Sequence, residues 1–299
     1  MMHHDAIEVS DDVVRHLISD QFPQWQEEPI ERLATDGTTN SIFRIGESKA
    51  ARFPLRFESP SIASVNIHRE TSAMEEMASV CPFPTPRCLA IGKPGNDYPS
   101  PWMVQTWLSG EVADPTGLAN SERFASDLAQ LVLALRTAPV KGRRFSGDGR
   151  GGAITDSDGW MDTCFRESEG LLDVPRLRLL WDRFRTLPRT HEDAMTHGDL
   201  IPANLLVDDG RLDGVLDAGG FGPTDPALDL VAGWHLLDSD ARATFRAKGA
   251  FEDVEWHRGA AWAFQQAMGL VWYYRISNPG MAHLGRTALA RILRDPEFS

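Results

Sequence analysis

Thr196-His197-Gly198-Asp199-Leu200-Ile201-Pro202-Ala203-Asn204-Leu205-Leu206-Val207 presents a carboxylate, Asp199, and five residues later a carboxamide, Asn204. Thirteen residues beyond Asn204, the run Val215-Leu216-Asp217-Ala218-Gly219-Gly220 ends on a second carboxylate, Asp217, where glycines let the backbone turn sharply. Two apolar runs flank Asp208-Asp209-Gly210 between them and read as a β-hairpin. Asn204 and Asp217 fall at its two open ends. Asp199, Asn204 and Asp217 are then expected to face one small volume. Such a set suits phosphoryl transfer, which needs a carboxylate near an acceptor hydroxyl and hard oxygen ligands for magnesium.

At these residues the chain resembles the aminoglycoside phosphotransferase family, relatives of the macrolide, choline and protein kinases. His197-Gly198-Asp199 with Asn204 and then Asp217 looks like that family's catalytic loop and metal-binding aspartate. The protein-kinase form is H-R-D-x-x-x-x-N with D-F-G. Here Gly198 replaces the Arg, as in the antibiotic kinases, and Asp217-Ala218-Gly219 departs from D-F-G while keeping the metal-ligand position.

Composition excludes several classes. The 299 residues are enough for one large or two modest domains, and 42% hydrophobic with 24% charged residues is ordinary for a globular protein. No apolar run approaches the ~20 residues of a membrane helix. Met1-Met2-His3-His4-Asp5 has no basic region followed by an apolar core, so no signal peptide is expected. Cys81, Cys88 and Cys164 lack disulfide-framework or zinc spacing, and the expected location is cytoplasmic. A net charge of −13 argues against nucleic-acid binding and is compatible with a cationic small molecule.

Along the chain, Asp11 to Asp20 reads as a short helix capped by Ser10 or Asp11. Strand-like runs flank Asp36-Gly37, where Gly37, Thr38, Thr39 and Ser41 offer backbone N–H groups; the resemblance implies a nucleotide-positioning loop here. Ala50 to Pro54 is a strand. Its Arg52 stands where the family has Lys or Arg to hold nucleotide phosphates, and Glu70, on a helix over about 61–79, matches the family's ion-pair partner. Residues 87–91 and 102–108 read as strands. The second is where the family places its interlobe hinge, so Gln105, Thr106, Trp107 and Leu108 are candidates for backbone contact with a purine.

After Glu111 the pattern turns mostly helical. Helices are expected over 121–137, about 157–170 and 174–186, with a glycine-rich loop at 143–159. Seven acids against two bases between Asp148 and Asp173 are one place for the ammonium groups of a polyamine acceptor. Thr224 or Asp225 can cap a helix with Pro226 in its first turn. The resemblance gives Asp229 the part of bracing the catalytic loop, and His197 that of shaping it. The aromatics of the last third, from Trp234 to Tyr274, are expected to pack helix faces.

The resemblance therefore implies a two-lobed, protein-kinase-like α+β fold. Residues 1–108 would form a small antiparallel-sheet lobe with one helix. Residues 109–299 would form a mainly helical lobe carrying the catalytic loop. It implies transfer of the γ-phosphoryl of ATP or GTP to a hydroxyl. Asp199 would act as the base, Asn204 and Asp217 would hold Mg2+, and Arg52 set by Glu70 would grip the triphosphate. An aminoglycoside leads as acceptor. A macrolide comes next, although that branch usually carries His where Asn204 stands. A choline-like or sugar metabolite, and a pseudokinase that binds nucleotide without turnover, stay open.

Overall fold

The computed structural model describes residues 7, 9–33, 40–147 and 149–298. They fall into two compact units, one within 1–79, 85–109 and 217–219, the other within 80–84, 110–216 and 220–299.

The first unit is built on a five-stranded sheet of β1 (Ile30–Arg32), β2 (Asn40–Ile45), β3 (Lys49–Pro54), β4 (Cys88–Gly92) and β5 (Trp102–Thr106). Their spatial order is β1-β2-β3-β5-β4, and every pairing is antiparallel. Successive side chains on a strand point to opposite faces. Phe43, Ile45, Ala51, Phe53, Trp102 and Val104 therefore share one face. There they pack with Val14, Leu17 and Ile18 of α1 (Asp11–Gln21). Phe53 stacks on Trp102, with ring centroids 4.7 Å apart. Ser10 caps α1 by accepting the Val13 N–H. The same alternation turns Arg52 to the other face, where α2 (Pro60–Ala78) supplies Glu70. The strand expected to run to Leu108 stops at Thr106, so Trp107 and Leu108 lie beyond it.

The second unit holds the expected hairpin, β8 (Leu205–Asp208) and β9 (Arg211–Val215). Asp209 and Gly210 both take positive φ, 45° and 71°, the backbone twist a two-residue hairpin turn favours. A short β6 (Glu111–Val112) adds to β8, where a helical pattern was expected to begin. Asp127 of α3 (Glu122–Leu135) accepts two bonds from Arg211, each 2.6 Å, and fastens the hairpin to that helix. A two-stranded ladder of β7 (Ala194–Thr196) and β10 (Gly222–Thr224) leads into the stretch from His197 to Asn204.

Asp225 does cap the next element, accepting the Ala227 N–H. That element is a 3₁₀ turn, Pro226–Leu230, not the expected α-helix. The helices are α4 (Asp158–Glu167), α5 (Val174–Phe184), α6 (Val231–Leu236), α7 (Ser239–Gly249), α8 (Asp253–Tyr273) and α9 (Pro279–Arg294). From Arg258 to Val271 every residue of α8 is buried, the mark of a helix enclosed by its neighbours. No described helix is long and apolar enough to cross a membrane.

Candidate active site

In the second unit the chain leaves β7 and turns at Gly198, whose φ of +83° lies in the left-handed region that favours glycine. The turn aims two consecutive N–H groups at one carboxylate. Asp229 accepts from His197 N–H at 2.8 Å through Oδ2 and from Gly198 N–H at 2.9 Å through Oδ1. Asp229 is 1% exposed, on the 3₁₀ turn. Burial pushes its pKa up, against the pull of His197 and the two backbone bonds. His197 is also buried. Its Nδ1 accepts the Asp199 N–H at 3.3 Å, so the proton sits on Nε2, which donates to Leu216 O at 2.8 Å. Both ring nitrogens are thus spent on shape, and the ring has none to offer as a base.

Asp199 has three side-chain partners. Its Oδ1 accepts from Arg150 Nη2 and Gln266 Nε2, each at 2.9 Å, and its Oδ2 accepts a longer 3.3 Å bond from Asn204 Nδ2. Asn204 Nδ2 also donates to Asp199 O at 2.9 Å, which leaves its carboxamide oxygen turned to other partners. Behind Gln266 stands His235, fully buried on α6, with Nε2 3.0 Å from Gln266 Oε1. Burial lowers its pKa to about 4, so the ring is neutral and its Nε2–H donates to Gln266. A neutral histidine thus orients an amide that holds one oxygen of Asp199. Arg150, Gln266 and His235 were not found from the sequence. They lie 49, 67 and 36 residues from Asp199, and no spacing ties them to it.

In the first unit, Arg52 is 8% exposed and bridges two acids. Its Nη1 lies 2.9 Å from Glu70 Oε1, and its Nη2 3.0 Å from Asp217 Oδ1. Glu70 has a raised pKa: burial raises it most, Arg52 lowers it, and the neighbouring Asp217 raises it again. Asp217 takes a positive φ of 56°. Gly219 must stay small, because a Cβ there would come within 2.4 Å of Glu70 Cγ. A cavity of about 330 Å³ adjoins the cluster, lined by Arg52, Arg56, Arg69, Glu70, Ser100 and Asp217 among others.

Of the loop residues expected to cradle phosphates, Ser41 is on β2, opposite Phe53. Gly37, Thr38 and Thr39 lie outside the described residues. Of the expected hinge residues, two have their N–H groups already committed, Thr106 to Arg87 O at 2.9 Å and Trp107 to Ser48 O at 2.8 Å. Gln105 pairs with Ala50 of β3, and Leu108 follows the strand.

The acidic stretch before α5 is largely used within the protein. Asp158 bonds Arg185 and Trp181, Asp173 caps α5, and Asp156 accepts the Ala153 N–H. Among the described residues no three His, Cys, Asp or Glu side chains cluster so as to hold a metal ion.

Comparison with known proteins places this geometry. Residues 30–262 match the phosphotransferase enzyme family. An aminoglycoside 3'-phosphotransferase of Streptomyces fradiae is 30% identical over 177 residues, 53% of this chain and 60% of that protein. The chain thus spans somewhat over half the length of that relative. Among solved structures, the GDP complex of a point mutant of aminoglycoside 2'-phosphotransferase-IIIa superposes with a TM-score of 0.71. It shares 18% identity, over 94% of this chain and 96% of that one. A macrolide 2'-phosphotransferase from Brachybacterium faecium gives 0.63 at 16% identity, over 95% and 99%. These structures establish the two-lobed, kinase-like α+β fold. With more than two thirds of its residues within the family match, the chain belongs to the aminoglycoside phosphotransferase family.

Proposed function

We propose that the protein transfers the γ-phosphoryl group of ATP or GTP to a hydroxyl of an aminoglycoside-like acceptor. The observation that carries this reading is the asymmetry of Asp199. Its Oδ1 is saturated by Arg150 and Gln266, while Oδ2 has one long bond. Oδ2 is the oxygen left to orient an acceptor hydroxyl and take its proton. In the reaction, a bond forms from the acceptor oxygen to the γ-phosphorus and the bond to the β–γ bridging oxygen breaks. The proton passes to Asp199 and the nucleoside diphosphate leaves.

Arg52, held between Glu70 and Asp217, has the charge and the fixed position to bind the triphosphate. Each unit also offers an oxygen of the kind magnesium takes. Asn204 has its carboxamide oxygen to give, and Arg52 takes Oδ1 of Asp217 and leaves Oδ2. Magnesium is typically held by one or two carboxylates together with phosphates and water, so a cage of three protein ligands is not required. When bound, it would neutralise charge on the phosphates. Asp229 and His197 keep the loop in shape, and Leu108 is the hinge residue best placed in sequence to offer an N–H to a purine.

The acceptor class rests on the Streptomyces fradiae relative, an aminoglycoside kinase by name, and on the acidic balance of the chain. The test is mass spectrometry of aminoglycosides, macrolides and amino alcohols incubated with the protein, magnesium and ATP or GTP. An aminoglycoside gaining one phosphoryl group, with no gain for Asp199→Asn, is the expected result. Phosphorylation confined to macrolides or amino alcohols would remove the acceptor assignment. No product with any acceptor would remove the activity.

A further inference from the structure

Arg150 touches the base of the proposed reaction, yet it comes from a loop 49 residues away from it. That loop is fastened at Gly151. Its carbonyl accepts the Asp225 N–H at 2.8 Å, and its φ of +112° is one that residues with a Cβ rarely adopt. A Cβ on Gly151 would also lie 2.8 Å from Thr224 Cβ. Asp225 is itself fixed: its Oδ2 accepts from Arg258 Nη2 at 2.6 Å and from Trp262 Nε1 at 2.8 Å, and all three residues are buried. An anchored, buried ladder on α8 therefore sets the backbone next to Arg150. An ordinary surface ion pair contributes little and has no need of such a mount.

The electrostatics say what a cation at this place does. During transfer, negative charge spreads over the equatorial oxygens of the moving phosphoryl group, close to the carboxylate that takes the proton. The stretch Thr196–Val207 contains no Lys or Arg to offset that pairing of like charges. Arg150 reaches Asp199 and leaves its Oδ2 to the acceptor. With Nη2 on Oδ1, the remaining guanidinium N–H groups can serve a phosphoryl oxygen in the same plane.

We propose that Arg150 is a further catalytic residue, an arginine supplied by the chain itself that offsets the joint charge of Asp199 and the transferring phosphoryl group. This rests on the activity proposed above. Arg150 then acts in the transition state more than in binding, so its removal lowers kcat and spares the affinities.

The experiment is steady-state kinetics of the full chain with Arg150→Ala, Arg150→Lys and Arg150→Gln. It is run alongside nucleotide titration calorimetry, thermal melting, and addition of millimolar methylguanidine. With Arg150→Ala, kcat should fall on the order of 10²–10³-fold, the usual size for loss of one charge-stabilising donor. Acceptor KM and nucleotide Kd should stay within a few-fold. Arg150→Lys should keep part of the rate, and methylguanidine should restore part of it to Arg150→Ala. An active wild type with Arg150→Ala equally active or faster would overturn this proposal alone; the guanidinium would then merely occupy Asp199 until a cationic acceptor displaces it. Rate loss that methylguanidine and Arg150→Lys both fail to recover would also overturn it. A wild type that phosphorylates no acceptor would overturn the activity and this proposal together.

Discussion

The Arg52 cluster and the Asp199 loop hold their carboxylates by different mixtures of charge and dipole. Around Arg52, one guanidinium sits between two acids, and the side chain of Asp217 is 50% exposed. Charge balances charge, and water is close by. Around Asp199, the loop is hung from a buried carboxylate by backbone N–H groups and a neutral histidine. Dipoles hold the loop, while Asp199 itself adds an ion pair to Arg150 and keeps its side chain 39% exposed. On the proposed reading, the first arrangement yields to a triphosphate through the half-exposed Asp217, while the buried Arg52 stays in place. The second cannot yield without leaving buried donors unpaired, which costs ~1–3 kcal/mol for each. On the proposed function, the contrast separates a site that receives a charged ligand from one that keeps a base in place.

The largest expected effect is on the base. Asp199→Asn keeps the volume and removes the proton acceptor, and turnover should drop ~10²–10⁴-fold with melting temperature unchanged. Retained turnover would mean Asp199 only orients the acceptor. Next comes the support of the loop. Asp229→Ala strands the N–H groups of His197 and Gly198, and denaturant unfolding should show a loss of ~2–6 kcal/mol. Glu70→Gln, beside a buried Arg52 that keeps its bond to Asp217, should cost less than Asp229→Ala and act chiefly on nucleotide affinity. Equal destabilisation by the two would erase the distinction between the regions.

A smaller effect is a pH dependence set by His235. Its folded pKa is lowered to about 4 from an ordinary 6.5. Across that window the unfolded chain binds more protons than the folded one, so stability should fall as pH drops from 6.5 toward 4. The shift is worth up to ~3 kcal/mol. His235→Asn should flatten that slope, and an unchanged slope would show the ring to be charged within the fold.

These regions were unequally legible in the sequence. Arg52 with Glu70, and the His197–Asn204 loop with Asp229, are carried by local motifs and by the alternation of β3. Both are short-range patterns. Gln266, His235 and Arg150 are invisible to such patterns, because each reaches Asp199 from a separate element brought there by packing. Gln266 looks like any residue of a buried helix until the helix is placed. The surplus of charge in the acidic stretch offers one place for ammonium groups, and within it Asp158 and Asp173 bond Arg185 and a helix end. The turn at Pro226 reads as an α-helix start, but Asp225 is drawn to Arg258 and Trp262, and the chain winds more tightly there.

The finest test of the contrast concerns Glu70. Its pKa stands above the ordinary 4.5, raised first by burial and further by Asp217, with Arg52 opposing. A folded carboxyl with a raised pKa holds its proton in a window where the unfolded one has lost it. Stability therefore falls as pH climbs through that window, from the unfolded value toward the folded one. Asp217→Asn removes one of the raising charges, so it should lower the Glu70 pKa and narrow the window; Arg52→Gln should raise the pKa and widen it. Carboxyl carbon shifts of labelled glutamate, followed by NMR across the titration, read both directions. Opposite displacements in the two variants would show that Glu70 is governed by charges it shares with Arg52 and Asp217. No displacement in either variant would show that burial alone sets it, and the two regions would then differ in exposure and not in how they hold charge.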